Sequence, residues 1–143
     1  MLLARRSSER PFYPGVWDVV GGHCEDGEAP SEALVREVQE EIGVTPRTFE
    51  EIAVLAEPRQ AEHGEARYHI FLVTGWSGAE PRLQGSEHSE LRWVGLECAL
   101  ALPLAHPGYG ALFSAVLAQP WQSAEPPSRK SGPTDGPRNR QGH

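Results

Sequence analysis

The sequence is short of the residues that define several protein classes. It has two cysteines among 143 residues, Cys24 and Cys98, and neither lies in a CxxC or zinc-type spacing. No disulfide framework or zinc site is therefore indicated. It also has no apolar run of about 18 residues, which a transmembrane helix requires. The apolar start ends at Arg5, too early for a secretory signal. We expect a cytoplasmic protein with no membrane partner.

Positive charge is also scarce. The chain has 13 lysines and arginines against 20 aspartates and glutamates, which gives a formal net charge of −7. Such an acidic balance disfavours contact with a nucleic-acid backbone, so no nucleic-acid partner is expected. An acidic protein still binds phosphates when metal ions lie between its carboxylates and the ligand. A small phosphorylated ligand thus remains compatible with the composition.

Large apolar side chains are missing from residues 122–143, which read QSAEPPSRKSGPTDGPRNRQGH. Such a segment cannot bury enough surface to offset the entropy of ordering it, so a disordered C-terminal tail is predicted. Residues 1–121 are long enough for one domain with a hydrophobic core.

Strands and helices are predicted from local patterns before the tail. Alternating or β-branched stretches predict strands at 2–4, 15–20, 51–56, 67–76 and 90–96. Helices are predicted at 30–42 and 109–118. Pro30 suits a first helical turn, and Gly43 suits the position just after a helix. Strands flanking helices in this order indicate an α/β or α+β sandwich.

The segment from Gly22 to Val44 reads GHCEDGEAPSEALVREVQEEIGV. It resembles the Nudix box, in which G, five residues, E and seven residues precede R-E-U-x-E-E-x-G-U, with U aliphatic. All nine specified positions match: Gly22, Glu28, Arg36, Glu37, Val38, Glu40, Glu41, Gly43 and Val44. The similarity continues outside the box, over about residues 2–118, in the ARR segment, in GVWDVVGGHCE and in the carboxylates upstream of Trp93.

Helix geometry supports a common chemical role for three of these glutamates. Glu37, Glu40 and Glu41 fall within about 100° of the helical wheel, beside an apolar stripe that does not overlap them. Glu37 and Glu41 are i,i+4 neighbours and repel each other unless a cation neutralises them. A solvated acidic face is the alternative, but such a face does not need flanking glycines.

The Nudix resemblance implies an α/β/α sandwich with a mixed sheet. Nudix domains usually have a strand before the LLARR-like segment, whereas this chain starts inside that segment. Two explanations remain open. The natural start lies upstream, or the missing strand leaves a sheet edge that favours pairing with another chain, as in a homodimer.

The resemblance also implies a metal site. Glu40 and Glu41 are expected to bind Mg²⁺, with Mn²⁺ as an alternative. Glu37 is expected to assist as ligand or base, and a backbone carbonyl near Gly21 to complete the site.

Structural roles are implied for the other motif residues. Arg36 is expected to pair with Glu28 and to hold the loop against the helix. The alternative for Arg36 is an exposed i,i+4 pair with Glu40, which contributes only about 0.3–0.5 kcal/mol. Gly22 and Gly43 are expected to have structural roles in the motif.

The implied reaction is hydrolysis of a nucleoside diphosphate linked to another group. A nucleoside triphosphate, oxidised or not, would give a nucleoside monophosphate and pyrophosphate. Glu87 and Glu90 are candidate bases outside the box, unless they are ordinary surface carboxylates. Arg6, His23 and His88 are candidate substrate contacts, although His23 could instead cap its loop.

Several aromatic rings are candidates for stacking on a nucleobase: Phe12, Tyr13, Tyr68, His69, Trp76 and His88. Trp17 and Trp93 lie in strand patterns and are expected to be structural. No ADP-ribose-specific insertion or coenzyme A motif is recognised, which favours the nucleoside triphosphate subgroup.

Two other functions stay open. One is a catalytically weak nucleotide-binding module. The other is an isomerase of isoprenoid diphosphates on the same fold, which needs a catalytic cysteine that neither Cys24 nor Cys98 suggests by its context.

Overall fold

The computed structural model describes residues 1–118, and the predicted tail at 122–143 lies outside them. The described strands are β1 (Leu2–Arg6), β2 (Trp17–Asp18), β3 (Thr45–Ala56), β4 (Arg67–Ser77) and β5 (His88–Trp93). The described helices are α1 (Pro30–Ile42), α2 (Gln60–His63), α3 (Leu96–Ala101) and α4 (Tyr109–Leu117).

The strands form two antiparallel groups. In the first, β1 lies between β2 and β5, so that Ala4 is opposite Asp18 on one side and Leu91 on the other. In the second, β3 and β4 form a long hairpin. The predicted combination of sheets and helices is confirmed. Parallel pairing, expected for a mixed sheet, is limited among residues 1–118 to an isolated bridge between Trp17 and Leu104. The strands named above pair antiparallel, as hairpin connections require.

The central strand β1 has a different helix layer on each face. Successive side chains of a strand point to opposite faces. Leu3 belongs to a core cluster with residues of α3 and α4: Ala99, Tyr109 and Phe113. Its neighbour Leu2 packs instead against the cluster of Val38 and Ile42 on α1. The sheet therefore lies between α1 and the α3–α4 pair, in an α/β/α arrangement.

Helix α1 has the predicted bounds. It begins at Pro30 and is followed by Gly43, whose backbone is left-handed with φ of 72°. The sequence predicts an apolar stripe at Leu34, Val35, Val38 and Ile42. Of these residues Val38 and Ile42 are buried, and Glu41 is buried beside them. The last turn of α1 thus carries a carboxylate into the interior, next to the sheet.

Two short helices were not predicted, and the strands differ from the expected bounds, most clearly β2, which has two residues instead of the expected 15–20, and β3. Strand β3 begins at Thr45 rather than at residue 51, whereas β5 ends at Trp93 because Leu96 already starts α3. Single-turn elements such as α2 and short apolar ones such as α3 lack the repeated pattern on which a sequence prediction depends. No helix within residues 1–118 has the length and apolarity needed to cross a bilayer.

The end of α1 gives a stability prediction. Gly43→Ala should lower the free energy of unfolding by about 1–2 kcal/mol, because an L side chain disfavours the left-handed backbone. The added Cβ would also lie 3.1 Å from Nε2 of Gln84. Urea unfolding measures the change. The control is Gly85→Ala, where φ is not positive and the added Cβ meets nothing within 4 Å. Equal losses in the two variants would contradict the explanation.

Candidate active site

A cleft of about 780 Å³ runs across one side of the domain. Its walls come from the β1–β2 loop, the β2–α1 loop, the first half of α1 and strand β4. One end is lined by Gly21, Gly22, Glu37, Glu87 and His88. The other end, called the aromatic end below, is lined by aromatic rings and one buried carboxylate: Phe12, Tyr13, Glu57, His63 and Tyr68. The two ends differ in chemistry, and each is built by a separate set of contacts.

The acidic end is organised around Glu41, which is 7% exposed and does not itself line the cleft but contacts Glu87 and His88, which do. Its Oε2 atom lies 3.0 Å from Nδ1 of the buried His88, the first residue of β5. One ligand atom each from Glu41, Glu87 and His88 lie within 4.8 Å of one another. The backbone fixes this meeting, because Gln84 N–H donates to the Glu41 carbonyl and Ser7 N–H donates to the Glu87 carbonyl.

Arginines balance only part of the negative charge at this end, with Arg10 at 3.4 Å from Glu87 and Arg36 at 2.7 Å from Glu37. Burial, then the hydrogen bond and charge of Glu87, raise the pKa of Glu41 well above its usual range. The hydrogen bond with Glu41 lowers the pKa of Glu87, and burial lowers the pKa of His88, so the imidazole is neutral at pH 7. Two neighbouring carboxylates suit a hard divalent cation, and a neutral imidazole tied to one of them orients it. The donor set therefore fits a divalent metal ion.

Arg36 connects the β2–α1 loop to α1. Its Nε and Nη2 atoms each donate to the Glu28 carboxylate at 2.8 Å, and Nη2 also donates to the His23 carbonyl at 3.0 Å. Its Nη1 atom donates to Glu37 at 2.7 Å. The bond from Arg36, with that from the Glu25 amide, lowers the pKa of Glu28 to about 2. The predicted Arg36–Glu28 pairing is thus present, while the alternative partner Glu40 is only at 3.5 Å.

Gly22 makes room for Glu37. A Cβ atom on residue 22 would lie 2.6 Å from Oε1 of Glu37 and would overlap the rest of that carboxylate. A side chain at residue 22 would therefore force the Glu37 carboxylate away from its place beside Arg36. Gly21, its neighbour, also lines the cleft.

Two of the predicted carboxylates lie apart from the cluster. The Glu40 side chain is 60% exposed and contacts Arg36 at long range. Glu90 is opposite Arg5 in the sheet, and its carboxylate accepts a 2.6 Å hydrogen bond from Arg92. Neither lines the cleft, whereas Glu87 does. Of the two candidate bases outside the box, the fold brings only Glu87 to the acidic end.

The three predicted substrate contacts all line the cleft, in different ways. The guanidinium of Arg6 already contacts other protein groups. Its Nη2 atom donates to the Phe12 carbonyl at 2.8 Å, and its Nη1 atom lies 3.5 Å from Asp18. His23 is exposed, and only its carbonyl is used by Arg36. His88 is buried against Glu41 as described above.

Most of the predicted aromatic candidates also line the cleft: Phe12, Tyr13, Tyr68, His69 and His88. Trp76 does not, and stacks instead on Trp93 with ring centroids 5.9 Å apart. Trp17 is buried in the core, as expected. Trp93, expected to be structural, is 55% exposed and stacks on Trp76.

The aromatic end depends on Glu57, which the sequence did not single out. This carboxylate is 3% exposed and accepts hydrogen bonds from the hydroxyls of Tyr13 and Tyr68 and from the Arg59 amide. His63 Nδ1 lies 3.4 Å from it. Burial opposes ionisation, but the hydrogen bonds outweigh it and lower the pKa of Glu57 to about 2. A lone glutamate after a strand has no sequence signal for such burial, since its partners come from three separate segments.

Comparison with known proteins agrees with this arrangement. Residues 1–115 match the NUDIX domain family. The chain is a Nudix family protein, and more narrowly a MutT-like hydrolase that acts on phosphoric anhydrides.

Three relatives illustrate the similarity. The chain is 34% identical over 118 residues to the CTP pyrophosphohydrolase of Escherichia coli strain K12, with 82% of each chain covered. It is 32% identical over 104 residues to the nucleoside triphosphatase NudI of Escherichia coli, with 65% of this chain and 71% of that one covered. A MutT Nudix hydrolase from Burkholderia pseudomallei superposes with a TM-score of 0.66 at 29% identity, covering 78% of this chain and 84% of that one.

The Glu57 contacts give a pH prediction. Because the folded pKa of about 2 lies below the unfolded value of about 4.3, the stabilisation is complete above the unfolded pKa and is lost as pH falls toward 2. Glu57→Gln should therefore cost about 2 kcal/mol near neutral pH, and the gap to wild type should narrow between about pH 5 and pH 3. Urea unfolding at several pH values measures both. The exposed Glu50→Gln serves as control, and a gap for Glu57→Gln that does not change with pH would contradict the prediction.

Proposed function

We propose that the chain hydrolyses nucleoside triphosphates, oxidised or not, to nucleoside monophosphate and pyrophosphate. The supporting observation is that Glu87, which lies close to the buried Glu41, lines one end of a cleft whose other end is aromatic. A nucleotide has the same polarity, with its charged phosphates at one end and its flat base at the other. The cleft accepts it in one orientation, with the phosphates toward the carboxylates.

The proposed metal ligands are Glu37, Glu40 and Glu41, with the Gly21 carbonyl. Glu41 is the central one, because it is buried and has a neighbouring carboxylate that a cation would neutralise. Glu40 would have to leave its 3.5 Å contact with Arg36, which costs little because exposed ion pairs are weak. A bound Mg²⁺ or Mn²⁺ supplies the positive charge that offsets the diphosphate in the ground state and transition state.

We assign the proton-accepting step to Glu87. Its side chain is about half exposed, 48%, so water reaches it inside the cleft. The hydrogen bond with Glu41 keeps its pKa low, and a carboxylate that stays ionised can accept a proton from the attacking water. Glu90 is the weaker candidate, because Arg92 holds it outside the cleft.

Arg10 is positioned to contact a phosphate at this end. Its Nη1 atom lies 3.4 Å from Glu87, and its Nε atom is buried with no hydrogen-bond partner among residues 1–118. A buried donor without a partner is costly unless a ligand satisfies it. A phosphate oxygen of the substrate would accept a hydrogen bond from this Nε atom, and its negative charge would strengthen the bond to the guanidinium.

The reaction class is tested with a substrate panel. Phosphate release would be measured with Mg²⁺ and added pyrophosphatase for nucleoside triphosphates and oxidised nucleotides, and with Mg²⁺ and added alkaline phosphatase for ADP-ribose and dinucleoside polyphosphates, whose products are phosphate esters. We expect turnover of nucleoside triphosphates, reduced to background in Glu41→Gln. Turnover of ADP-ribose or dinucleoside polyphosphates alone would contradict the proposed substrate class. If the folded protein hydrolyses no substrate of the panel, the alternative of a catalytically weak nucleotide-binding module is favoured.

The assignment of the base is tested with a pair of variants. Glu87→Gln should lower kcat by about 10²- to 10⁴-fold, the usual contribution of a positioned general base. The matched Glu90→Gln removes a carboxylate that lies outside the cleft on the adjoining strand and should leave kcat close to wild type. Both are compared at saturating Mg²⁺ after circular dichroism shows that they are folded. The reverse order of effects would assign the base to Glu90.

A further inference from the structure

The aromatic end of the cleft has a fixed pattern of hydrogen-bond donors and acceptors. An ionised carboxylate has acceptors only, so the hydroxyls of Tyr13 and Tyr68 must both donate to Glu57. Each phenol has then used its only donor. What remains free on these three side chains is oxygen lone pairs.

This pattern is stable at neutral pH. The pKa of Glu57 is about 2, so its carboxylate does not take up a proton. Burial and the Glu57 hydrogen bond raise the pKa of Tyr13 to about 12, and the same causes raise the pKa of Tyr68. The phenols therefore keep their protons and continue to donate them to Glu57.

Beside these oxygens lies a surface suited to a flat ring. Phe12 and His63 pack with ring centroids 4.2 Å apart and an interplanar angle of 35°, and Phe12 remains 49% exposed. All five side chains line the cleft. A ligand ring stacked here would have its edge next to Glu57 and the two phenols, and stacking does not distinguish one base from another. Selection between bases would come from hydrogen bonds to the edge of the ligand ring.

We propose that this end of the cleft, formed by Tyr13, Glu57 and Tyr68, selects nucleobases that carry an exocyclic amino group, namely cytosine, adenine or guanine. The proposal rests on the proposed function and narrows its substrate class. An amino group donates to the free oxygens, whereas the O4 carbonyl of uracil or thymine would face them acceptor to acceptor. A site built to pair with an N–H group rejects an analogue that lacks it, because its own polar atoms are left unpaired.

Matched substrate pairs test the selection in the wild-type full chain. CTP and UTP differ at the amino position of a pyrimidine, and GTP and ITP differ at the amino position of a purine. We expect kcat/KM for the amino-bearing member to be about tenfold higher or more in at least one pair. Equal values within both pairs would overturn the proposal and leave the proposed hydrolysis intact.

Variants identify the residues responsible. Glu57→Gln introduces an amide donor and frees the phenols to donate into the cleft, so the CTP to UTP ratio should fall toward one. Tyr68→Phe removes one acceptor and keeps the ring, and should lower the ratio in the same direction. The control Glu50→Gln changes an exposed carboxylate on β3 that does not line the cleft and should keep the wild-type ratio.

A purely structural role for Glu57 predicts a different result. Loss of folded protein lowers kcat/KM for both members of a pair by the same factor, so an unchanged ratio in folded Glu57→Gln and Tyr68→Phe would overturn the assignment. If no triphosphate is hydrolysed, the proposed function fails, and the selection is measured by calorimetric titration with CMP and UMP. Tighter binding of CMP supports the proposal, and equal dissociation constants overturn it.

Discussion

The arrangement of the acidic end depends on the guanidinium group of Arg36. Its planar fork accommodates both oxygens of Glu28, and its remaining donors reach Glu37 and the His23 carbonyl. These contacts connect a glycine-containing loop to the helix that carries the other glutamates. A lysine has no such fork and could not make the same set of bonds. With the loop held in this way, Gly22 lies against the Glu37 carboxylate.

Carboxylates also meet beside the cleft, where Arg10 offsets only part of their charge. Glu41 is buried, Glu87 reaches it from the loop before β5, and the imidazole of His88 that contacts Glu41 is neutral. Protein folding alone would favour an apolar residue at position 41, since burying a carboxylate is costly. Such a cost at a cleft is characteristic of functional sites, where a ligand offsets it.

Buried negative charge is stabilised in different ways at the two ends of the cleft. At the acidic end, Glu41 and Glu87 are hydrogen-bonded to each other and the pKa of Glu41 is raised, so that a bound cation would favour the ionised form of both. At the aromatic end, Glu57 is surrounded by hydrogen-bond donors of the protein, and its charge is already stabilised. The first arrangement suits chemistry on phosphate, and the second suits a fixed binding surface that does not change its protonation state.

The local features of the active-site segment could be read directly from the sequence. The bounds of α1 at Pro30 and Ile42 and the position of Gly43 follow from local helix signals, whereas the Arg36–Glu28 pair was implied by the resemblance to the Nudix box. Spacing also places Glu37 and Glu41 on one side of the helix. Helix signals are reliable here because the residues concerned lie within a few helical turns, where backbone geometry determines distances.

Contacts between distant segments were decided only by the tertiary structure. The sequence left Glu87 and Glu90 as equal candidates, and the course of the chain into β5 brings Glu87 into the cleft and leaves Glu90 with Arg92. It gave no indication of Glu57, whose partners Tyr13 and Tyr68 are 44 and 11 residues away. Sequence determines periodicity and local spacing, whereas the packing of loops against strands determines which isolated polar residues meet, because those distances depend on the whole fold.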